Sequence, residues 1–167
     1  MTRTFFISIP GKPVAKGRAR VNFKTKREYP DEKTAVYENL VKLTFQEAYP
    51  DHDLITGAVT TSFIAYFPIP KSWSKKKQEL ARQGKLYMTA KPDIDNLEKS
   101  IYDGLKNVAW KDDDQIIRHF VSKEYSDRPR VDMFIHALEE TEEDDGDESE
   151  YSRDLGQTDQ RSGTEDH

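Results

Sequence analysis

Residues 91–107 read KPDIDNLEKSIYDGLKN, and this stretch decides the fold class of the chain. Leu97, Ile101 and Leu105 recur at the spacing of helical turns, so the segment 94–107 is predicted to be a helix that packs one apolar stripe against a core. Segments before and after this helix are rich in β-branched and aromatic residues, which is typical of β-strands. Together these features predict an α/β fold.

Four segments are predicted to be strands, because each is rich in β-branched and aromatic residues and is bounded by turn residues. They are 3–9, 58–67, 115–125 and 131–137. The last two are joined by the short segment 126–130, which predicts a β-hairpin between them.

Two more helices complete the expected fold. One follows Asp31, a potential N-cap. Its apolar positions at helical spacing are Val36, Leu40 and Leu43. The other is short, starts after Ser72 or Ser74 and ends near Gly84. Residues 1–138 are therefore predicted to form one domain, a small mixed β-sheet with helices packed on it.

The charge of the chain is divided unevenly. The formal net charge is −5, but residues 139–167 contain 13 acidic and 2 basic residues, whereas residues 1–138 contain 24 basic and 18 acidic residues. The C-terminal segment has few apolar residues, and we expect it to be a disordered acidic tail. The basic body suggests a polyanionic partner such as nucleic acid, although an ordinary soluble surface accounts for the same charges.

Composition excludes several classes of protein. The chain has no cysteine, which rules out disulfides, thiolate zinc sites and cysteine nucleophiles and fits an intracellular location. We find no apolar run of membrane-spanning length, no secretory signal and no glycine-rich phosphate loop of the NTPase kind. The 4 histidines are too scattered for a metal motif, and surface or core roles are expected for them.

Two basic segments are candidate contacts to DNA phosphates. Residues 11–27 contain 7 basic residues and no acid, with the glycine and proline content of a long exposed loop. Residues 71–91 contain 7 basic residues and 1 acid. The residues predicted to bind DNA are Lys12, Lys16, Arg18, Arg20, Lys24, Lys75, Lys76, Lys77 and Lys91.

The carboxylates at the start of the 94–107 helix are candidate metal ligands. Pro92 opposes helix before it, so Asp93 lies outside the helix and Asp95 lies in its first turn. Asp93 can converge with Asp95 only from a non-helical position, because residues two apart on a helix point to different sides. Asp95 and Lys99 are four apart and share a face away from the apolar stripe.

A second acidic cluster lies in the predicted turn 112–114, where three aspartates are consecutive. Adjacent carboxylates repel one another, and a bound hard cation removes that cost. Magnesium prefers oxygen ligands, usually one or two carboxylates with water and phosphate. In phosphodiester cleavage such ions activate water and stabilise the leaving oxygen, and a nearby lysine neutralises developing charge or positions the attacking water.

The same residues also have purely structural interpretations. Asp93 fits a helix cap, Asp95 and Lys99 fit an i,i+4 ion pair, and 112–114 fits a solvated turn. From spacing alone, a metal site is one hypothesis beside these.

Three spaced blocks of this region resemble the RusA family of Holliday junction resolvases. The blocks are 91–99 (KPDIDNLEK), 103–105 (DGL) and 110–116 (WKDDDQI), against the family patterns D-x-D-N-L-x-K, D-A-L and W-x-D-D-x-Q-[VI]. The segment 70–77 (PKSWSKKK) is also similar to bacterial and phage members, and the similarity covers about residues 3–137. The chain departs from the pattern in a third acid, Asp114, in its acidic tail and in Gly104, which replaces the usual alanine and is expected to weaken the helix by about 1 kcal/mol without touching the chemistry.

The resemblance implies a cytoplasmic, bacterial or phage-encoded endodeoxyribonuclease that acts as a homodimer and resolves four-way junctions by symmetric paired cleavage in recombination and repair. It implies Mg²⁺ as cofactor, with Mn²⁺ as a substitute. The family's catalytic residues correspond to Asp93, Asp95, Asp113 and Lys99, and the three aspartates are its metal ligands. Asp103 and Asp112 also match motif positions and are interpreted as supporting residues.

Two other functions are compatible with the sequence. One is a structure-selective nuclease on flaps or forks, which would share all the same sites. The other is a non-catalytic DNA-binding protein whose acidic tail recruits partners. Cleavage of a synthetic four-way junction with and without Mg²⁺ separates the enzymes from the binding protein.

Overall fold

The computed structural model of the protein describes residues 2–29 and 31–139, so the tail predicted to be disordered lies outside the described residues except for residue 139. The elements are β1 (Arg3–Pro10), β2 (Arg20–Val21), β3 (Glu28–Tyr29), α1 (Glu32–Ala48), β4 (Val59–Pro68), α2 (Lys75–Arg82), α3 (Ile94–Leu105), a 3₁₀ turn (Asp113–Gln115), β5 (Ile116–Ser126) and β6 (Arg130–Ala137). Among these helices, none combines the length and the apolar character that crossing a membrane requires.

Four strands form one mixed sheet in the order β1-β6-β4-β5. The β1–β6 and β6–β4 pairs are antiparallel, and the β4–β5 pair is parallel. The predicted α/β fold with a small mixed sheet is thereby confirmed. The short strands β2 and β3 form a separate antiparallel ribbon. Strand β2 lies within the basic segment 11–27, which the sequence predicts to be a loop, and β3 directly follows that segment.

The predicted hairpin between the last two strands is wrong, because β4 lies between β5 and β6. Ala65 of β4, for example, is paired with Lys123 of β5 on one side and with Val131 of β6 on the other. The reason is burial. Every second residue of β4 from Val59 to Phe67 is buried, which suits a central strand, whereas no residue of β5 is fully buried, which suits an edge.

Helix α1 is where the sequence predicts it, but a different face of it is buried. Val36 is 66% exposed and Leu43 is also exposed, while Leu40 is half-buried. The buried positions are Thr34, Tyr37, Val41 and Phe45. This stripe contains two aromatic rings, so turning it toward the core removes more apolar surface from water than the aliphatic stripe would. In α3 the predicted stripe is the buried one.

The ends of two helices match their predicted caps to different degrees. Ser74 precedes α2, and its hydroxyl accepts a hydrogen bond from the Lys77 amide at 3.2 Å. Asp31 occupies the N-cap position of α1, but its side chain makes no capping bond. One of its carboxylate oxygens lies 3.1 Å from the Arg20 guanidinium instead. That ion pair ties the β2–β3 ribbon to the start of α1.

Gly104 lets α1 and α3 approach closely. A Cβ at this position would lie 2.7 Å from the Glu38 carbonyl oxygen and 2.8 Å from Val41 Cβ. These neighbours belong to the backbone and the buried stripe of α1, so they cannot move aside easily. The glycine therefore has a packing role, and the expected loss of helix propensity is only part of its effect.

Gly104→Ala is expected to lower the free energy of unfolding by about 1–3 kcal/mol, because overpacking outweighs the better helix propensity of alanine. Urea denaturation measures the change. Gln46→Ala, at an exposed position of α1, is the control and should change stability by less than about 0.5 kcal/mol. A Gly104→Ala protein as stable as the wild type would show that the two helices have room to separate.

Candidate active site

A cleft of about 440 Å³ opens between α3 and the start of β5. The residues that α3 contributes are Asp95, Glu98, Lys99 and Tyr102. They follow the i, i+3, i+4, i+7 spacing of one helical side, opposite the buried apolar stripe. The remaining lining residues are Asp113, Ile116, Ile117, Arg118 and His119. One amphipathic helix therefore faces the core with one side and the cleft with the other.

Lys99 is the centre of a network of charges in this cleft. Its Nζ donates to Asp103 Oδ1 at 2.7 Å and lies 3.6 Å from Asp113 Oδ2. The other oxygen of Asp103 accepts from Lys16 Nζ at 2.7 Å, and Lys16 also donates to Glu38. The hydrogen bond to Asp103 raises the pKa of Lys99. At neutral pH the Lys99 side chain is therefore an ammonium and acts as a cation rather than as a base.

Asp113 is held in the cleft by two neighbours. The indole Nε1 of fully buried Trp110 donates to Asp113 Oδ1 at 3.1 Å, and Lys99 approaches the other carboxylate oxygen. Trp110 itself packs edge-to-face on Tyr102, with ring centroids 5.7 Å apart. The hydrogen bond from a buried side chain holds the Asp113 carboxylate in one orientation, which a freely solvated turn would not do.

Gln115 fixes the turn that carries Asp113. Its side-chain oxygen accepts from the backbone amides of Lys111 at 2.8 Å and Asp112 at 3.0 Å. Its side-chain nitrogen donates to the carbonyl oxygens of Ile55 and Gly57, each at 2.8 Å. One amide side chain thus joins the acidic turn to the segment that precedes β4.

Asp112 makes structural contacts. Its Oδ1 accepts from the Asp113 amide and from Lys106 Nζ, both at 2.8 Å, and it caps the 3₁₀ turn. The bond from Lys106 lowers the pKa of Asp112. These contacts agree with the supporting role that the sequence suggests for this residue.

Asp95 and Asp93 are placed differently at the start of α3. Asp95 lines the cleft, and within the described residues no salt bridge joins it to Lys99, whose i,i+4 partner is Asp103. Asp93 is the exposed N-cap residue in an extended conformation, makes no side-chain capping bond and is not among the lining residues. The backbone just before it is anchored by Lys123, whose Nζ donates to the carbonyl oxygens of Ala90 and Pro92 at 2.8 and 2.9 Å. The metal-binding role of Asp93 stays a prediction.

Glu98 and His119 form a pair in the cleft that the sequence did not indicate. His119 Nδ1 contacts Glu98 Oε1, and the same oxygen accepts from the Tyr102 hydroxyl at 3.1 Å. Burial raises the pKa of Tyr102, which keeps its phenol neutral. The pair forms because β5 runs beside α3. The only sequence signal is the strand alternation that puts His119 on the same side of β5 as Val121.

A known protein family matches the part of the chain that contains the cleft. The family model described as "Endodeoxyribonuclease RusA" matches residues 10–136, which include α3, the 3₁₀ turn and every residue that lines the cleft. The chain belongs to the RusA endodeoxyribonuclease family. A relative from Bacillus subtilis (strain 168), described as "Uncharacterized protein YqaN", is 38% identical over 135 residues, which are 78% of this chain and 94% of the relative.

RusA proteins are divalent-metal-dependent nucleases that act on branched DNA, and such an ion requires oxygen ligands. Within residues 2–29 and 31–139, no three Asp, Glu or His side chains are grouped closely enough to hold one metal. The carboxylates of Asp95 and Asp113 nevertheless line the same cleft. Mg²⁺ is commonly held by one or two carboxylates together with water and substrate phosphate, so the donor set fits it.

The basic residues predicted to bind DNA are exposed, with the exception of Lys16. Lys16 is half-buried and ion-paired with Glu38 and Asp103, which places it in the charge network of Asp103 and Lys99 rather than on an open surface. On α2, Lys77 lies over the Trp73 ring, 4.0 Å from its centroid. That these basic residues contact DNA stays a prediction.

The pH dependence of stability should report on Asp103. Burial alone would raise the pKa of this carboxyl, but the hydrogen bonds from Lys16 and Lys99 lower it below 3.8. The ionised group therefore stabilises the fold above that value, and this stabilisation is lost as the pH falls through the lowered pKa. Asp103→Asn is expected to be less stable at neutral pH and to show a shallower decline of stability below pH 3.8.

Urea denaturation at neutral and acidic pH measures both effects. Asp127→Asn is the matched control, because Asp127 pairs with Arg82 on the surface and should contribute little. Equal acid profiles for wild type and Asp103→Asn would show that the network does not depend on this charge.

Proposed function

We propose that this RusA-family protein is a Mg²⁺-dependent nuclease that resolves four-way DNA junctions by paired, symmetric cleavage. One observation carries the proposal: α3 and the 3₁₀ turn bring the carboxylates of Asp95 and Asp113 to one cleft, with the Lys99 ammonium between α3 and the turn. Two carboxylates and a cation in one solvent-open cleft suit a phosphodiester with a metal ion bound to it.

The proposed mechanism divides the roles among a few residues. Asp95 and Asp113 would hold the ion, and Asp93 would join them from the N-cap of α3. A bound Mg²⁺ supplies Lewis acidity, which activates water and stabilises the leaving oxygen. Lys99 places a positive charge beside the phosphate and stabilises the negative charge that develops there. Asp103 is a positioning residue, because it fixes Lys99 through the 2.7 Å hydrogen bond.

The position of Asp113 depends on two groups that do not line the cleft. Trp110 orients its carboxylate from the core, and Gln115 holds the turn in place. Preorganisation of this kind keeps a charged group in its reactive geometry without a cost at the moment of reaction. It supports a catalytic assignment over a chance cluster of surface acids.

Cleavage of a synthetic four-way junction tests the function. The full-length protein is mixed with labelled junction, duplex, flap and fork DNA in Mg²⁺, Mn²⁺ or Ca²⁺. We expect symmetric cuts in the junction with Mg²⁺ or Mn²⁺ and binding without cleavage in Ca²⁺. Preferential cutting of flaps or forks would show that the protein is a structure-selective nuclease and not a junction resolvase. Binding without cleavage in every metal would show that it is a non-catalytic DNA-binding protein.

We also propose that the protein acts as a homodimer through the open face of its sheet. Phe6, Phe134 and Phe120 are exposed there, and the strand register places them in one row with Ser62. The rings of Phe6 and Phe134 are in contact, with centroids 4.9 Å apart. A twofold dimer would cover this row and present two sites to the two strands that a symmetric junction offers.

Phe134→Asp is expected to convert a dimer into a monomer, because it places a charge in the middle of the apolar row. Light scattering after size exclusion should give twice the chain mass of 19.4 kDa for the wild type and the chain mass itself for the variant. Val36→Asp, on the outer face of α1, is the control and should leave the mass unchanged. A wild type that is monomeric at micromolar concentration would contradict the proposed dimer.

A further inference from the structure

The β2–β3 ribbon ends in a well-formed turn. The side-chain oxygen of Asn22 accepts from the amides of Lys24 at 2.9 Å and Thr25 at 3.3 Å. The backbone amide of Asn22 donates to the Arg27 carbonyl at 2.9 Å, and the Lys26 amide donates to the Asn22 carbonyl at 2.7 Å. These four bonds give the backbone of the tip a defined shape.

Phe23 projects from this tip into solvent. Its side chain is 93% exposed, the largest value among the exposed large hydrophobic residues of the described chain. The ribbon carries four exposed basic residues around Phe23 and one exposed acid, Glu28 at the start of β3. The basic residues are Arg20, Lys24, Lys26 and Arg27. No acid occurs between residues 11 and 27. An aromatic ring surrounded by cations is the combination that binds bases and phosphates of unpaired nucleic acid.

The base of the ribbon is attached to the candidate active site. The Gly17 amide donates to Thr34 Oγ1 at 2.8 Å, and the Lys16 amide donates to the Asn96 carbonyl in the first turn of α3 at 2.8 Å. The Lys16 side chain reaches Asp103, the partner of Lys99. The segment that leads into the ribbon is therefore joined to both α3 and α1.

We propose that Phe23 stacks on a base at the branch point of the DNA substrate, which would make the ribbon a selectivity element for branched over duplex DNA. The inference rests on the proposed nuclease function. Base pairs at the centre of an open junction are stacked on one side only, whereas those inside a duplex are stacked on both. An aromatic ring can therefore bind a branch-point base without first breaking a stacking contact, and the neighbouring cations contact the phosphates on either side.

The test compares Phe23→Ala with Phe23→Trp in the full-length protein. Affinity is measured for a four-way junction and for a duplex of the same sequence in Ca²⁺, with 2-aminopurine at the branch point to report stacking. We expect Phe23→Ala to bind the junction roughly tenfold more weakly, with duplex affinity unchanged and the 2-aminopurine change lost. Phe23→Trp should retain both, and Val36→Ala, an exposed aliphatic control on α1, should behave as wild type.

A second comparison separates stacking from charge. Phe23→Ala should leave the slope of log affinity against log salt unchanged, whereas Lys24→Ala should flatten it by about one unit because a phosphate contact is lost. Equal loss of junction and duplex affinity in Phe23→Ala would overturn the selectivity role. A changed oligomeric mass in that variant would also overturn it and assign the ribbon to a contact between chains.

The outcomes also distinguish this inference from the function on which it rests. If the wild type binds and cleaves the junction and Phe23→Ala does so equally well, the inference is overturned but the proposed function is not. A wild type that fails to bind branched DNA in preference to duplex would overturn both.

Discussion

Asp113→Asn is expected to abolish DNA cleavage while leaving junction binding intact. The amide has nearly the same shape and retains an oxygen that can accept the hydrogen bond from Trp110, so the 3₁₀ turn should keep its position. The lost charge is the one that faces Lys99 and would hold the metal ion. We expect the single-turnover rate with a four-way junction to fall on the order of a thousandfold, the upper range for removing one preorganised electrostatic group.

The measurement pairs single-turnover cleavage in Mg²⁺ with gel-shift binding in Ca²⁺. Asp114→Asn is the matched control, since Asp114 is the next acid in the same turn, is exposed and does not line the cleft. It should cleave at close to the wild-type rate. An Asp113→Asn protein with full activity would remove this residue from the chemistry, and one that no longer folds or binds would give it a structural role instead.

Lys99→Ala is expected to slow cleavage by about a hundredfold, with little change in the Mg²⁺ concentration that gives half-maximal rate. An ammonium cannot bind a metal cation, so its removal should affect the maximal rate rather than metal affinity. The fold should survive, because Asp103 keeps its second partner, Lys16. The experiment therefore separates a catalytic cation from a purely structural ion pair.

Single-turnover rates measured across a Mg²⁺ titration provide the test. Lys106→Ala is the control, because Lys106 pairs with Asp112 beside the site but does not line the cleft. We expect Lys106→Ala to retain most of the activity and Lys99→Arg to recover part of it. A wild-type cleavage rate in Lys99→Ala would show that Lys99 has only a structural role, as the ion-pair partner of Asp103. A change only in the Mg²⁺ concentration that gives half-maximal rate would show that Lys99 affects metal binding.

The sequence by itself determined the elements whose patterns are local. The apolar stripe of α3 repeats over three turns, and Pro92 before it marks where the helix begins, so both its position and its polar face follow from the residues. The positions of Asp95 and Lys99 on that face were recognisable because both belong to a short block of fixed spacing, and the same holds for the Asp113 turn after Trp110. The four long strands were recognisable for the same reason, since alternation and β-branched content are properties of a few neighbouring residues.

Only the tertiary structure decided which elements meet. Strand pairing depends on burial across the whole sheet, so the short β5–β6 connection predicted a hairpin although β4 lies between the two strands. The buried face of α1 depends on what packs against it, and two stripes one position apart competed for that role. The Glu98–His119 pair and the bonds from Lys16 to Asp103 join residues far apart in sequence, which no local period encodes. Periodicity sets which side of an element is apolar, whereas the closest packing of all elements together sets its neighbours.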